Sequence, residues 1–332
     1  MNNFVKRALA EGGMIRPLLV DPALTQGTGL MNPSIFNDDG NIIGVVQHVN
    51  YTFYHSEKKV FQHPWGPLTY LHPENDLHLR TRNFYYELDS GLNMTRCNEI
   101  DMSFGDKQYE PVWEFRGLED ARIIRWDGKL FITGVRRDVK PNGEGRMELC
   151  EIEVGEKDVK EVARFRIPPP RDPNSYCEKN WMPVLDMPYH YIKWTAPTEL
   201  VRVDRDKKTC ETVVIVENTP AIRRDLRGGS QVLTLPNGNR LTITHEVDLF
   251  KSEVGRKDGV YHHRFVVWDK DWNIIQWSKE FFMMDGQVEF GIGLCYDNDP
   301  NYLLTTFGFQ DNAAYVLRVP LQTVMNYINE NR

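Results

Sequence analysis

Several features that would place a protein in a common class are scarce or absent in this sequence. Its five cysteines are widely spread, and no two of them form a Cys-x-x-Cys pair. This spacing excludes the usual zinc motifs and provides no disulfide framework. We therefore expect reduced thiols, no bound metal and no cofactor.

Long hydrophobic runs and an excess of basic charge are also missing. No stretch approaches the length of a membrane span, and the first residues lack the apolar core of a signal peptide. The 47 acidic residues outnumber the 40 basic ones, for a formal net charge of −7, so no global basic field favours nucleic acid. We expect a cytoplasmic protein without a membrane or nucleic-acid partner, and leave open whether it forms a homo-oligomer.

What the sequence does contain is a repeat. One sequence pattern occurs five times: a short polar start, an apolar strand, a tight turn and a second apolar strand. From the second copy onward the interval is about 50 to 62 residues. The copies open at Asn32, Asp120, Lys179, Ser230 and Gly291. β-Hairpins at this period predict an all-β fold, specifically a five-bladed β-propeller.

The chain is predicted to be a single propeller domain over residues 1–332. No low-complexity linker or change in composition marks a boundary. Residues 1–28 and 320–332 lie outside the repeats and are predicted to be flanking segments. Helical periodicity is weak, and the only helix candidates are Phe4 to Glu11 and Leu321 to Asn329.

The polar residues that open the copies are the first candidates for a site. In a propeller the innermost strands run beside the central axis, so equivalent positions near their starts converge on one funnel. A ring of Asn, Asp, Lys and Ser is unsuited to a hydrophobic core, so it predicts a polar binding site. The alternative is that these residues only cap turns.

Asp120 is the leading catalytic candidate. Glycosyl transfer needs a carboxylic acid that can protonate a leaving oxygen. Glu119 is adjacent, but on a regular strand it would point to the opposite face. The alternative is that Glu119 and Asp120 form ion pairs with Arg116 and Arg122.

A basic cluster follows the second copy and continues into the third. Arg136, Arg137 and Arg146 end or flank neighbouring strands, and Lys179 opens the next copy. Arginine is suited to bidentate binding of phosphate, so a phosphate held by this cluster is a coherent interpretation. The alternative is a solvated basic edge paired with nearby carboxylates.

Other polar residues near the starts and ends of the repeated strands are candidates for binding sugar hydroxyls. A lone histidine is more often structural, and so are single aromatic residues. With that alternative kept open, the predicted sugar-binding set is Asn32, Asn180, Ser230, His245, Asp311 and Asn312.

Taken as a set, these residues resemble glycoside hydrolase family 130, which includes β-mannoside phosphorylases and β-mannosyltransferases. The match covers roughly Gly29 to Val319 and rests on Asn32-Pro33, Glu119-Asp120-Ala121-Arg122, Lys179-Asn180, Gly228-Gly229-Ser230 and Gly308 to Asn312. The resemblance implies a five-bladed propeller with Asp120 as the general acid. It also implies phosphate ligands at Arg137, Arg146 and Lys179, with Arg136 as a neighbouring candidate.

Two departures from the family pattern concern the mechanism. Ala121 replaces the proline of the family's Glu-Asp-Pro-Arg motif, and Lys193-Trp194 stands where the family usually has His-Arg. The retained basic cluster still favours inverting transfer of a mannosyl-like unit to or from phosphate or a phosphosugar. One alternative is an inverting hydrolase on the same fold, in which Glu246, Asp248 or Glu289 activates water. Another is a glycan-binding propeller without catalysis.

Overall fold

The computed structural model describes residues 3–25, 29–52, 60–63, 66–70, 78–217, 222, 225–251, 253 and 257–330. In this part of the chain strands predominate, and the all-β prediction is confirmed. None of the helices described has the length and hydrophobicity needed to cross a bilayer. The helices are α1 (Phe4–Ala10), α2 (Pro22–Thr25), α3 (Ser103–Gln108) and α4 (Leu321–Asn329).

The strands are rich in β-branched and aromatic residues, which favour extended backbone. In chain order they are β1 Met14–Pro17, β2 Leu30–Asp38, β3 Asn41–Val49, β4 Tyr51–Thr52, β5 Val60–His63, β6 Gly66–Tyr70, β7 Leu79–Leu88, β8 Met94–Asp101, β9 Phe115–Arg116, β10 Leu118–Trp126, β11 Lys129–Arg136, β12 Arg146–Val154, β13 Val159–Arg166, β14 Met182–Pro183, β15 His190–Trp194, β16 Thr198–Asp204, β17 Thr209–Val216, β18 Arg227–Gly228, β19 Leu233–Thr234, β20 Arg240–Lys251, β21 Lys257–Trp268, β22 Ile274–Trp277, β23 Glu289–Tyr296, β24 Tyr302–Phe309 and β25 Ala313–Pro320.

Most of these strands pair into antiparallel sheets that follow the repeat. The pairing orders are β2-β3-β7-β8, β10-β11-β12-β13, β14-β15-β16-β17, β18 and β19 on β20-β21-β22, and β23-β24-β25-β1. A short parallel pairing of β13 with β8 joins the first two sheets. Strands β4, β6 and β5 form a separate small sheet. We interpret the five sheets that follow the repeat as the five blades.

The two ends of the chain meet in the last of these sheets. Strand β1, from the segment predicted to flank the propeller, pairs with β25, with Met14 opposite Arg318. Helix α1 packs on the neighbouring elements through Phe4, whose ring lies 4.9 Å from that of Phe281. The Arg7 guanidinium of α1 forms an ion pair with Glu330, just beyond α4. The N-terminal segment therefore completes the last sheet.

The first strand of each of two blades carries a β-bulge at its start. In β2 the register shifts between Met31 and Ser34, and in β10 between Glu119 and Arg122. Asn32 and Asp120, inside these bulges, have φ angles of 47° and 53°, in the left-handed region.

The third copy has its left-handed residue at Asn180, with a φ of 59°. The residue of the third copy that corresponds to Asn32 and Asp120 is therefore Asn180. The sequence comparison of the repeats matched Lys179 with Asn32 and Asp120. The structure places the equivalent position one residue later, at Asn180.

Near the axis one buried amide, that of Gln231, joins four of the five sheets that follow the repeat. Gln231 Nε2 donates to Ser34 Oγ at 3.1 Å, Ile35 O at 2.9 Å and Ile123 O at 3.0 Å. Its Oε1 accepts from Leu294 N at 3.1 Å. Gln231 is fully buried. All four hydrogen bonds of its side chain lead to other sheets. The Gln231 side chain therefore holds the inner strands in one ring.

We expect Gln231→Leu to lower the free energy of unfolding by about 2–4 kcal/mol, because the buried partners of the amide would lose their hydrogen bonds without access to water. Chemical denaturation followed by circular dichroism measures this change.

The matched control is Gln322→Leu, on the exposed face of α4, which we expect to change stability by less than about 0.5 kcal/mol. Equal stability of both variants would contradict the role assigned to Gln231.

Candidate active site

A pocket of about 170 Å³ lies where the inner strands begin, as the ring of polar residues predicted. It brings together six of the residues predicted from the sequence, namely Asn32, Asp120, Lys179, Asn180, His245 and Asp311. Sequence reasoning missed others that also line it, including Gln47, Tyr51, Glu119, Arg227, Tyr261 and Phe290.

Asp120 is held from several directions. Its backbone N–H donates to Gln47 Oε1 at 2.6 Å, and Asn32 Nδ2 donates to its Oδ1 at 2.8 Å. Arg122, buried beneath the pocket, donates from Nη1 to the Asp120 carbonyl at 2.6 Å and from Nε to Gly229 O at 2.9 Å. In place of the ion pair with the Asp120 carboxylate that was considered as the alternative, Arg122 thus forms a hydrogen bond to the Asp120 backbone. A left-handed residue held in this way presents its carboxylate in one orientation.

Glu119 also lines the pocket, contrary to the expectation that it would point to the opposite face. The reason is the bulge in β10, which breaks the alternation of side chains between Glu119 and Arg122. Burial raises the pKa of Glu119 to about 7, and the charge of Asp120 adds to the rise. Lys179 and Arg137 act in the opposite direction. Two consecutive carboxylates therefore share one pocket.

Asp311 supplies a third carboxylate from the turn after β24. Gln310 and Asp311 have φ angles of 53° and 48°, so the turn is left-handed at both residues. Burial raises the pKa of Asp311 to about 7, and Asp120 contributes through its negative charge. The pocket thus holds, next to Asp120, two further acids whose pKa values are raised to about 7.

Two cations face these carboxylates. Lys179 and Arg227 both line the pocket, and within the described part of the chain neither forms an ion pair shorter than 4.0 Å. Arg227 pairs across the sheet with His245. Their positive charges help to hold the His245 pKa well below its usual value, although burial is the larger cause. His245 is therefore a neutral imidazole next to two cations that are open to an anionic ligand.

Three of the four predicted phosphate ligands have other partners. Arg136 is fully buried and forms ion pairs with Asp138 and Asp106. Arg146 pairs with Glu144 at 3.1 Å. Neither is among the described residues that line the pocket. The carboxylate pairing that the alternative expected is thus present for these two, but both arginines are buried and do not form a solvated edge.

Arg137 lies between the pocket and the surface. Its guanidinium sits 5.2 Å from the ring centre of Trp113 and 5.9 Å from that of Tyr176. Its Nε donates to Gly143 O at 3.1 Å. Arg137 is close enough to influence Glu119 electrostatically, but the described lining of the pocket does not include it.

Two predicted sugar-binding residues also lie elsewhere. The hydroxyl of Ser230 is fully buried and bonds with Gln231 O and Thr242 Oγ1, so it belongs to the core of its sheet. Asn312 is exposed in the turn where its N–H donates to Phe309 O. Neither contributes to the described pocket wall.

The water-activating carboxylates considered for a hydrolase are likewise outside the described lining. Glu246 pairs with Arg264 at 2.7 Å, and Asp248 faces His262 at 3.6 Å. Glu289 accepts hydrogen bonds from three backbone N–H groups of residues 283, 284 and 286. Glu119 and Asp311 are the carboxylates that the structure places beside Asp120.

The pocket wall contains buried polar atoms that have no hydrogen-bond partner in the part of the chain that the structure describes. These are Asn32 Oδ1, Asn180 Oδ1 and His245 Nδ1, all on residues less than 9% exposed. Because Asn32 Nδ2 donates to Asp120, its oxygen is fixed on the other side of the amide. Buried polar groups are nearly always hydrogen-bonded. A cluster of orphaned ones in one pocket is therefore typical of a ligand site.

Comparison with solved structures identifies the fold class. A glycosyl hydrolase from Bacteroides ovatus superposes with a TM-score of 0.58 at 14% identity, covering 89% of this chain and 85% of that one. The β-1,2-mannobiose phosphorylase from Listeria innocua, solved with β-1,2-mannobiose, gives 0.55 at 11% identity, covering 96% and 97%. No family model and no curated protein sequence matches the chain.

A structure from glycoside hydrolase family 130 itself gives a TM-score of 0.55 at 14% identity, covering 89% of this chain and 85% of that one. The resemblance to this family that the motifs indicated is thus confirmed in three dimensions. At these identities the likeness establishes the fold, that of the family's propellers. The chemistry depends on the residues in this pocket, because one fold supports many functions.

The raised pKa of Glu119 makes stability depend on pH. The folded state holds this proton up to about pH 7, whereas the unfolded chain loses it near 4.5. Stability is therefore lost as the pH rises through this window. Relative to wild type, Glu119→Gln should gain about 1–3 kcal/mol at pH 8 and nothing at pH 4, below both pKa values. Urea denaturation at the two pH values measures this difference.

The control is Glu156→Gln, an exposed carboxylate whose removal should have the same effect at both pH values. If Glu119→Gln behaved in the same way, the protonated state of Glu119 would be refuted.

Proposed function

We propose that the chain is a carbohydrate-active enzyme that transfers a glycosyl unit, with inversion, to or from phosphate or a phosphosugar. The observation that carries this proposal is the placement of Asp120, oriented by Asn32, in a pocket with buried polar atoms suited to sugar hydroxyls. Among the residues that the structure describes, these atoms have no hydrogen-bond partner, and the two cations of the pocket have no ion-pair partner. The cavity of about 170 Å³ is smaller than pockets for drug-sized ligands, as suits one sugar unit.

In this proposal Asp120 is the general acid that protonates the leaving oxygen. Glu119 and Asp311 hold protons near neutral pH, which limits the negative charge around Asp120 and supplies further donors to the sugar. Asn32, Asn180 and His245 would bind sugar hydroxyls, since each has a buried atom without a partner. The mannosyl-like nature of the sugar rests on resemblance to the family.

Lys179 and Arg227 would hold the phosphate. Fixed cations in a desolvated pocket stabilise an attacking or departing phosphate more strongly than water does. Arg227 replaces Arg136 and Arg146 in this role, because those two arginines are neutralised by carboxylates. Arg137 remains a candidate near the rim, where it is stacked against Trp113 and Tyr176.

A hydrolase is the second candidate, and one observation favours it. Three carboxylates line the pocket, and the predicted set of basic ligands is reduced there to Lys179. In an inverting hydrolase one carboxylic acid protonates the leaving oxygen while a second carboxylate activates water on the opposite face. Asp311 or Glu119 would be that base once it has lost its proton, at a pH above its raised pKa of about 7. Dependence of the reaction on phosphate distinguishes the two functions.

We expect Asp120→Asn to reduce turnover of a β-mannoside about 10²–10⁴-fold, the usual contribution of a general acid. The fold should remain intact, because the amide can still accept the bond from Asn32. Sugar release from a panel of β-linked mannobioses, with and without phosphate, gives the rate. An unchanged rate in a folded variant would show that Asp120 is not the general acid. Asp172→Asn, in an exposed turn, is the control.

The double variant Lys179→Ala, Arg227→Ala tests the anion site. We expect it to lose the acceleration by inorganic phosphate while still binding the saccharide in calorimetry, since different residues hold the two ligands. Arg202→Ala with Lys207→Ala, both exposed, controls for the change in net charge. If wild type released mannose at the same rate in phosphate-free buffer, the hydrolase would replace the transferase.

A further inference from the structure

The bulge at the start of β10 is held from the neighbouring blade by two side-chain amides. Asn83 Nδ2 donates to Leu118 O at 3.0 Å, and the Asp120 N–H donates to Gln47 Oε1 at 2.6 Å. Leu118 and Asp120 come immediately before and after Glu119 in the chain. The two hydrogen bonds therefore fix the backbone on both sides of Glu119.

Asn83 and Gln47 act as a pair. They are both buried and lie directly opposite each other on β7 and β3, the two middle strands of the first blade. Residues directly opposite in an antiparallel pair point to the same face of the sheet. β10 is the end strand of its own blade, and no described strand pairs with its other edge. At the bulge the two amides therefore take the place of a neighbouring strand.

On its other side the bulge lies against Gly134 of β11. A Cβ atom at this position would come within 2.4 Å of Glu119 O and 3.2 Å of Ala121 Cα, so a larger residue would displace the bulge. Arg122 Nη1 donates to the Asp120 carbonyl at 2.6 Å. The bulge is thus held between β11 on one side and the two amides on the other.

Asn83 serves this arrangement at a cost to its own hydrogen bonding. Its Oδ1 is buried and has no hydrogen-bond partner in the part of the chain that the structure describes. A buried acceptor without a partner lowers stability, and such a cost is typical of residues that serve a site. Asn83 is not among the described residues that line the pocket. Its contribution to the site therefore passes through the backbone of β10.

We propose that Asn83 is a positioning residue of the active site: its bond to β10 keeps the bulge in place and so directs Glu119 and Asp120 into the same pocket. Without that bond β10 returns to the regular alternation, in which adjacent side chains point to opposite faces. Glu119 then leaves the pocket, and Asp120 loses the orientation that acid catalysis requires. The effect on catalysis rests on the proposed function, whereas the effect on Glu119 does not.

The first test is independent of activity. Urea denaturation compares Glu119→Gln with its parent at pH 8 and pH 4, in the wild-type background and in Asn83→Leu. In the wild-type background the substitution should lower the unfolding equilibrium constant about 10- to 100-fold at pH 8 and not at pH 4, because the pKa of Glu119 is raised to about 7. In Asn83→Leu, where Glu119 has left the pocket, the effect at pH 8 should fall below about threefold.

The charged and titratable groups that face Glu119 stay the same in this comparison. They are Asp120, Lys179, Arg137, Asp138, Tyr51 and Cys177. A loss of the pH effect in Asn83→Leu therefore reports a movement of Glu119 itself.

The second test measures sugar release from the panel of β-linked mannobioses. Asn83→Leu should lower kcat about 10- to 100-fold, since a displacement of about 1 Å at a reacting group costs on the order of 10²-fold. KM should change less than about threefold, because the proposed sugar ligands Asn32, Asn180 and His245 are not altered. If the wild-type protein turned over no β-mannoside, the proposed function would be wrong, and the first test would still decide the role of Asn83.

The control is Thr305→Val, which removes another buried bond from a side chain to a backbone carbonyl, that of Thr305 Oγ1 to Gly293 O at 3.0 Å. It should lower stability and leave both kcat and the pH effect of Glu119→Gln unchanged. If Asn83→Leu does not fold, Asn83→Ala, which also lacks the donor, is measured in its place. The proposal is overturned if Glu119→Gln keeps its full pH effect in the Asn83 variant. An unchanged kcat of that variant, where the wild-type protein is active, overturns it as well.

Discussion

The structure depends on closing a ring of sheets whose inner strands carry polar backbone groups toward the axis. Gln231 meets this constraint with one side chain, bonding to Ser34, Ile35, Ile123 and Leu294. Backbone groups at the axis cannot reach water, and leaving them unpaired would cost about as much as several hydrogen bonds. Because the Gln231 amide joins β2, β10 and β23 to its own sheet, it also fixes where these inner strands begin.

The candidate site follows directly from this ring. Ser34, which binds Gln231, lies two residues after Asn32, and Ile123 lies three after Asp120. The bulges between these points turn Asn32 and Asp120 toward each other. Backbone strain at these residues is offset by the bonds around them, and such strain is commonly found at functional sites. The same geometry buries carboxylates close together, which raises the pKa values of Glu119 and Asp311.

Charge pairing decides which cations are available to a ligand. Arg136 and Arg146 follow the pattern expected of phosphate ligands in sequence, yet each has a carboxylate within reach and is neutralised. Lys179 and Arg227 come from different blades and meet at the pocket, where neither has such a partner among the described residues. A sequence pattern identifies where cations occur, but a folded structure determines which of them retain an uncompensated charge.

The sequence by itself determined the all-β class, the repeat and six residues of the pocket, because strand periodicity, turn signals and polar strand starts are local properties. It placed Asp120 and Asn32 together correctly, since equivalent positions of a cyclic repeat must meet at the axis. Only the tertiary structure decided that Glu119 joins them, because one extra residue in a bulge reverses the side-chain alternation. It also brought in Arg227 and excluded Arg136, since ion pairing depends on distances between residues far apart in the chain.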